Sequence, residues 1–175
     1  YDGTNATDTG SGVDTVDYSY ITGATDTRAI NVDLTRTNSQ EVIQRGTSGT
    51  STIYDHLVHI ENIIATKNDD LIKGSDDFAI INTLDGYKGD DVFYSSKGTD
   101  SFIGGLGIDT LDFSNVDFLN GGNRVIVDLG LGKVNDDGYH NGATVVDYVS
   151  EIEIVKGTTG DDKLYGDSNK NTLIG

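Results

Sequence analysis

Residues 86–112 read GYKGDDVFY, SSKGTDSFI and GGLGIDTLD, which are three consecutive blocks of nine residues. Each block has Gly at position four, Asp at position six and a bulky apolar residue at position eight. In chain order these are Gly89, Asp91 and Phe93, then Gly98, Asp100 and Phe102, then Gly107, Asp109 and Leu111. A fixed period of this kind predicts a fold built by stacking one short unit.

The nine-residue frame recurs outside this stretch. It appears, in decreasing order of fidelity, as TGSGVDTVD (9–17), GTTGDDKLY (157–165), IATKNDDLI (64–72), GDSNKNTLI (166–174) and DFAIINTLD (77–85). In these blocks position six is Asp14, Asp162, Asp69, Asn171 and Asn82. The block at 77–85 retains only Asn82 and Leu84 from the pattern, so it is a degenerate member.

A longer period lies over the short one. GVDTVDYS (12–19) resembles GIDTLDFS (107–114), and INVDL (30–34) resembles VIVDL (125–129). We therefore predict one domain, a fragment of a longer chain, made of two diverged copies at about 9–85 and 104–175. The tidy nonapeptides at 86–112 join them. Between nonapeptides, alternating apolar residues predict strand excursions, and NSQEVIQRG (38–46) predicts one capped helical turn.

Composition narrows the class of protein. The chain has no Cys, Met, Pro or Trp, which excludes disulfides and thiolate metal sites. Its 29 acidic and 12 basic residues give a formal charge of −17, which argues against nucleic acid and against anionic membrane surfaces. No apolar run approaches the ~20 residues of a membrane span, so we expect no membrane insertion.

The chemistry of the block follows from its residue types. Gly before Asp makes a tight turn, and the next three residues can form only a short strand with position eight buried. Two blocks then close one coil, so turns of alternate blocks stack. Asp91 and Asp109 are predicted to face each other on one edge, with Asp100 on the opposite edge nearest Asn82.

Stacked carboxylates repel unless a cation lies between them. Ca²⁺ takes roughly six to eight oxygen ligands and accepts carboxylates together with backbone carbonyls, whereas Mg²⁺ requires a stricter octahedron. We predict several Ca²⁺ ions, bound by Asp14, Asp69, Asp91, Asp100, Asp109 and Asp162. The carbonyls of Gly12, Gly86, Gly89, Gly98, Gly104, Gly107, Gly157 and Gly160 would complete the sites, with Asn82 and Asn171 as weaker ligands.

The pattern resembles the calcium-binding nonapeptide G-G-x-G-x-D-x-U-x of RTX (hemolysin-type) proteins. GGLGIDTLD (104–112) matches it in full. The resemblance implies an all-β, right-handed parallel β-roll or solenoid with calcium in its Gly-Asp turns, interrupted by longer strand excursions; a calcium-stabilised β-sandwich is the alternative. It also implies type I secretion, an extracellular or bacterial cell-surface location, and folding on meeting calcium outside the cell.

Three functions are compatible with these features. The favoured one is a non-catalytic module that supports a larger secreted or cell-surface protein, with calcium and neighbouring domains of the same chain as its partners. A second is the peptide- or glycan-binding domain of an adhesin, with Tyr18, Tyr20, Tyr139 and Tyr148 as candidate contacts. A third is the accessory region of an exported polysaccharide-modifying enzyme or protease. We expect no enzyme in this segment, because catalytic motifs such as H-E-x-x-H and G-x-S-x-G are absent from the sequence.

Overall fold

The structure is a computed structural model, and it describes residues 12–21, 27–35, 40–45, 53–57, 59–116, 124–137 and 146–175. Within these ranges the chain forms sixteen β-strands and no helix. The first eight are β1 (Thr15–Asp17), β2 (Ala29–Asp33), β3 (Gln40–Arg45), β4 (Ile53–Leu57), β5 (Asn62–Ile64), β6 (Leu71–Lys73), β7 (Thr83–Asp85) and β8 (Val92–Tyr94). The others are β9 (Ser101–Ile103), β10 (Thr110–Asp112), β11 (Ile126–Asp128), β12 (Lys133–Asp136), β13 (Asp147–Ser150), β14 (Ile154–Lys156), β15 (Lys163–Tyr165) and β16 (Thr172–Ile174).

The strands form two sheets between which the chain alternates. The first sheet has the order β1-β5-β7-β9-β13-β12-β11-β15, and the second has the order β16-β14-β10-β8-β6-β2-β3-β4. Neighbouring nonapeptide strands are parallel, and β7 pairs with β9, as β8 does with β10, at a distance of 18 residues. The chain is therefore an all-β parallel β-roll in which one coil is two nonapeptides, as predicted.

Each sheet contributes one column of apolar side chains to the core. The column of the first sheet is Val16, Ile63, Leu84, Phe102 and Val149, which are paired in register. The column of the second sheet is Val32, Ile72, Phe93, Leu111 and Val155. All ten are buried. The two columns meet between the sheets, where the rings of Phe93 and Phe102 pack edge to face with centroids 6.0 Å apart.

The longer excursions also add strands. β3 and β4 extend the second sheet as antiparallel neighbours of β2, and β12 lies antiparallel between β11 and β13 in the first sheet. The predicted helical turn at 38–46 is wrong, because Gln40–Arg45 is β3. Its backbone pairs with strands on both sides, and its adjacent Val42 and Ile43 are β-branched residues that favour strands. In the described residues no helix is long and apolar enough to span a membrane.

Strands of the two similar sequence halves have corresponding neighbours. β1 pairs in parallel with β5 as β10 does with β14, and β2 pairs with β6 as β11 does with β15. β1 belongs to the first sheet and its counterpart β10 to the second. Corresponding strands of the two halves therefore lie in opposite sheets. Because one coil contributes one strand to each sheet, the second half is shifted by half a coil relative to the first.

Candidate metal centre

One rule positions the acidic side chains along each edge of the roll. A carboxylate or amide stands two residues before the buried residue of each nonapeptide strand. On the edge that leads into the second sheet, Asp91 Oδ1 accepts the backbone N–H of Asp70 at 2.7 Å. Asp109 Oδ1 accepts the N–H of Asp91 at 2.8 Å, and Glu153 Oε2 accepts the N–H of Asp109 at 2.9 Å. These side chains form a ladder in which each coil holds the turn of the coil before it.

The opposite edge carries a second ladder. Asp100 Oδ1 accepts the N–H of Asn82 at 2.9 Å, and Asp147 Oδ1 accepts the N–H of Asp100 at 2.8 Å. The amide of Asn82 donates to the carbonyl of Glu61 at 2.6 Å, which continues the ladder toward the preceding coil. The two ladders thus place Asp91 with Asp109, and Asp100 with Asn82, on opposite edges.

Three of these carboxylates are incompletely bonded although they are buried. Asp91 and Asp109 are 0% exposed and Asp147 is 1% exposed. In each the second oxygen, Oδ2, is buried and has no hydrogen-bond partner within the described part of the chain. A buried carboxylate oxygen without a donor is costly, because its hydration is lost and nothing replaces it.

Burial raises the pKa values of carboxyl groups in both ladders. Loss of solvent on burial, reinforced by neighbouring carboxylates, raises the pKa of Asp91 to about 9 and that of Asp147 to about 8. Burial likewise raises the pKa values of Asp70, Asp100 and Asp109 to about 6. Among the described residues, no basic side chain offsets the burial of the charged form of these groups.

Two glycines let the carboxylates approach the turns. A Cβ on Gly86 would overlap Oδ2 of Asp91, and a Cβ on Gly104 would lie 2.7 Å from Oδ2 of Asp109. The same Cβ on Gly104 would overlap the carbonyl oxygen of Glu151 in the next coil. The unpartnered oxygens thus lie directly against bare backbone of their own turns.

These features fit a hard cation with oxygen ligands. Among the described residues, no three His, Asp or Glu side chains come together as a metal site. Any ion here must therefore take most of its ligands from backbone carbonyls, with one or two carboxylates. Ca²⁺ accepts that mixture, and the buried Oδ2 atoms of Asp91 and Asp109 would supply the anionic part of the predicted sites.

Comparison with known proteins bears on the same residues. A family model for the RTX calcium-binding nonapeptide repeat matches residues 79–111 and 150–175, with four copies. Residues 79–111 and 150–175 are therefore RTX calcium-binding nonapeptide repeats. RTX nonapeptides bind Ca²⁺, and four copies imply several ions. No curated protein matches the chain.

The RTX frame at residues 64–72 needs a correction. The sequence predicts Asp69 at position six and Leu71 at position eight, but Asp70 and Ile72 are the buried pair at 2% and 0% exposure. Asp69 instead accepts the N–H of Asp90 at 2.9 Å on the surface. The register moves by one residue because Ile72 pairs with Phe93 in the second sheet, which fills the apolar column.

Besides Asp70, three acidic members of the two ladders were not predicted from the sequence. These are Glu61, Asp147 and Glu153, which stand two residues before Ile63, Val149 and Val155. Glu61 Oε2 accepts the N–H of Asp14 at 2.8 Å. The signal that could have found them is the pair formed by an acidic residue and a buried residue two positions later, without the Gly of the full motif.

The other predicted ligands occupy ladder positions of different character. Asp162 accepts the N–H of Val125 at 2.8 Å, and it also accepts hydrogen bonds from the backbone N–H and the hydroxyl of Thr158. Asn82 is buried with Oδ1 already accepting the N–H of Ser75, and Asn171 Oδ1 accepts the N–H of Asp167 in its own turn. Their carbonyl oxygens are occupied, so neither Asn resembles Asp91.

The predicted glycine carbonyls lie in the turns as follows. Gly86 O accepts the N–H of Lys88 at 2.8 Å, and Gly160 O accepts the N–H of Asp162 at 3.1 Å. Gly89, Gly98 and Gly107 have positive φ angles, and Gly12, Gly104 and Gly157 do not. These carbonyls stay predicted ligands.

The tyrosines differ in exposure. The premise that Tyr18 is exposed is wrong: it is 2% exposed, and its hydroxyl donates to Asp55 Oδ2 at 3.2 Å. Tyr20 and Tyr148 are 71% and 53% exposed. Tyr139 lies outside the described residues. Tyr18 therefore belongs to the core, whereas the rings of Tyr20 and Tyr148 are exposed.

Proposed function

We propose that this chain is a non-catalytic RTX module that folds when it binds calcium outside the cell and that supports a larger secreted or cell-surface protein. The observation that carries the proposal is the set of buried carboxylate oxygens without a donor, at Asp91, Asp109 and Asp147. At neutral pH such a fold must either protonate these groups or bind a cation. Binding a cation is then coupled to folding.

Folding that is coupled to calcium binding suits a module that works outside the cell. Extracellular calcium modules bind with dissociation constants of about 0.1–1 mM. A chain with a formal charge of −17 repels itself when calcium is scarce, and it becomes compact when calcium is abundant. Type I secretion as an unfolded chain, followed by folding outside, is consistent with these properties.

The test is a calcium titration of the chain, followed by circular dichroism, thermal unfolding and calorimetry. We expect the chain to be marginally folded in chelator, with less β-structure and a low melting temperature, and to gain both cooperatively at roughly 0.1–1 mM Ca²⁺. Mg²⁺ at the same concentration and NaCl at the same ionic strength are the controls for charge screening. A chain that is equally folded in chelator, with a melting temperature that ignores Ca²⁺, would contradict the proposal.

A second candidate function is peptide or glycan binding, as in an adhesin. The feature that favours it is a surface cavity of about 400 Å³ lined by Asp14, Val16, Tyr20 and Asp55, among others. Tyr20 is exposed there and can stack on a sugar or a side chain. Glycan and peptide arrays with the calcium-loaded chain test it, with Tyr20→Ser as the matched variant. Binding that Tyr20→Ser does not weaken would place any ligand elsewhere.

The remaining candidate, the accessory repeat region of an exported enzyme, depends on the sequence that flanks this segment. A catalytic domain in the same chain would support it, whereas further tandem repeats would support the adhesin.

A further inference from the structure

The turns of the roll differ at position two of the nonapeptide. Three turns, at 65–70, 95–100 and 157–162, have a hydroxyl there, from Thr66, Ser96 and Thr158. In each turn the hydroxyl donates to the position-six carboxylate, at 2.9 Å to Asp70 Oδ2, 2.7 Å to Asp100 Oδ2 and 2.9 Å to Asp162 Oδ1. These carboxylates have donors for both oxygens. We call these three the hydroxyl turns.

Two turns, at 86–91 and 104–109, have Tyr87 and Gly105 at position two instead. Neither residue has an aliphatic hydroxyl to offer, and in the part of the chain that the structure describes Oδ2 of Asp91 and of Asp109 has no partner. We call these two the open turns. They are stacked directly on each other, because Lys88 and Leu106 form a parallel β-bridge.

The backbone separates the same two groups independently. Position two is left-handed in the open turns, with φ of 66° at Tyr87 and 98° at Gly105, and it is not left-handed at Thr66, Ser96 or Thr158. In two hydroxyl turns the position-two N–H also donates to the carboxylate, from Thr66 to Asp70 Oδ2 and from Thr158 to Asp162 Oδ2, both at 2.7 Å. In the open turn at 86–91 the N–H of Tyr87 points away, to Asp85 Oδ1 at 2.8 Å.

We propose that, among these five turns, position two decides which take calcium: the open turns at 86–91 and 104–109 bind ions, and the hydroxyl turns close without one. This inference rests on the proposed calcium function, and it specifies which turns hold the ions. A hydroxyl and an N–H donate the hydrogen bonds that a buried carboxylate needs, so the carboxylate does not require a metal ion. Where both donors are missing, only a cation satisfies the second oxygen.

The test compares two buried carboxylates in consecutive blocks, using the whole 175-residue chain. Asp91→Asn changes an open turn, and Asp100→Asn changes a hydroxyl turn; Asn keeps the oxygen that accepts the ladder N–H in both. Calcium stoichiometry is measured by titration calorimetry, and the calcium-dependent rise in melting temperature by calorimetric scans. We expect Asp91→Asn to lose at least one bound ion and much of the rise, and Asp100→Asn to keep the ion count of the parent.

A complementary variant converts a hydroxyl turn into an open one. Ser96→Ala removes the donor to Asp100 Oδ2, so we expect a lower melting temperature in chelator and a larger rise on adding calcium. Thr99→Ala is the matched control: it removes a hydroxyl from the same turn, and that hydroxyl makes no hydrogen bond in the described part of the chain. It should leave both quantities within error of the parent.

The outcomes separate this inference from the proposed function. If Asp100→Asn loses as many ions as Asp91→Asn, or if Ser96→Ala does not increase the response to calcium, position two does not select the turns, although the chain still binds calcium. If the parent chain binds no calcium at all, the proposed function itself fails. Should Asp100→Asn fail to fold, the Ser96→Ala measurement decides alone.

Discussion

The backbone N–H of Asp91 donates to Oδ1 of Asp109 at 2.8 Å across 18 residues, and Oδ2 of both side chains is buried with no donor among the described residues. One oxygen of each carboxylate thus fixes the stacking of two turns. The other oxygen is left for a ligand. If the proposed calcium sites form, each of these side chains would link the spacing of the coils to the binding of an ion. That link would determine how the chain responds to acid, mutation and chelation.

The first prediction concerns pH in a chelator. Burial raises the pKa of Asp91 to about 9 and that of Asp147 to about 8, against about 3.9 in an unfolded chain. A raised pKa means that the folded state binds the proton more tightly. Its contribution to stability is fully present below about pH 4 and is lost as pH rises through the folded value, at about 1.4 kcal/mol per pH unit for each group.

We therefore expect the melting temperature in chelator to fall steadily from about pH 5 to about pH 9. Saturating calcium should flatten or reverse the slope, because the ion replaces the proton. Thermal unfolding across this pH range, with and without Ca²⁺, provides the measurement. A melting temperature in chelator that rises with pH would show that these carboxylates are not buried in the apo fold.

The second prediction concerns Gly104→Ala. The added Cβ would overlap the carbonyl oxygen of Glu151 in the next coil, and backbone cannot move aside as a side chain does. We expect a loss of at least about 2 kcal/mol in the free energy of unfolding of the calcium-loaded chain. Gly12→Ala is the control, since its Cβ would meet nothing closer than 3.6 Å. Equal urea midpoints for the two variants would contradict the close approach of the turns.

The third prediction concerns the core. Phe102 is fully buried and packs against Phe93 between the sheets. Phe102→Ala should cost about 3–5 kcal/mol, because it removes buried area and leaves a cavity. Phe78→Ala, at a residue 56% exposed, should cost far less. Denaturant unfolding in saturating calcium gives both values, and comparable costs would mean that Phe102 is not in a packed column.

The fourth prediction concerns a strained residue. His59 has a φ of 56°, a left-handed conformation at the position that Gly holds in the full repeat. This conformation costs a side-chain-bearing residue roughly 1–2 kcal/mol. Gly removes that cost and adds a smaller one, because Gly loses more conformational entropy on folding than other residues. His59→Gly should therefore stabilise the chain by about 0.5–1 kcal/mol. Lys170→Gly, at an exposed residue without positive φ, should be neutral or destabilising under the same conditions.

The regular blocks could be predicted from the sequence because their information is local. An Asp two residues before Phe93, Phe102 or Leu111 identifies the turn, the strand and the buried residue at once. The period of two blocks then gives the stacking of Asp91 on Asp109. Where two acidic residues are adjacent, as at Asp69 and Asp70, local pattern allows two frames, and only pairing with the next strand selects one.

The excursions were harder to predict for a physical reason. Glu61 and Glu153 follow His59 and Glu151, which take left-handed conformations without being Gly. A search that requires Gly at that position passes over them. β3 was mistaken for a helical turn because its pairing partners, β2 and β4, lie outside the segment whose sequence suggested the turn. Its conformation depends on those antiparallel ladders rather than on its own propensity.

The half-coil shift between the two sequence halves affects the ends of the described roll. Beyond the layer of β1 and β2, the second sheet continues by two strands, β3 and β4, while the first stops. Beyond the layer of β13 and β14, the first sheet continues by three strands and the second by one. Neighbouring strands are about 4.8 Å apart, so at each end one sheet projects about 10 Å beyond the other. The second sheet projects at the β2 end and the first sheet at the β13 end. Strands that extend the roll in register at either end must first pair with the edge strand of the shorter sheet.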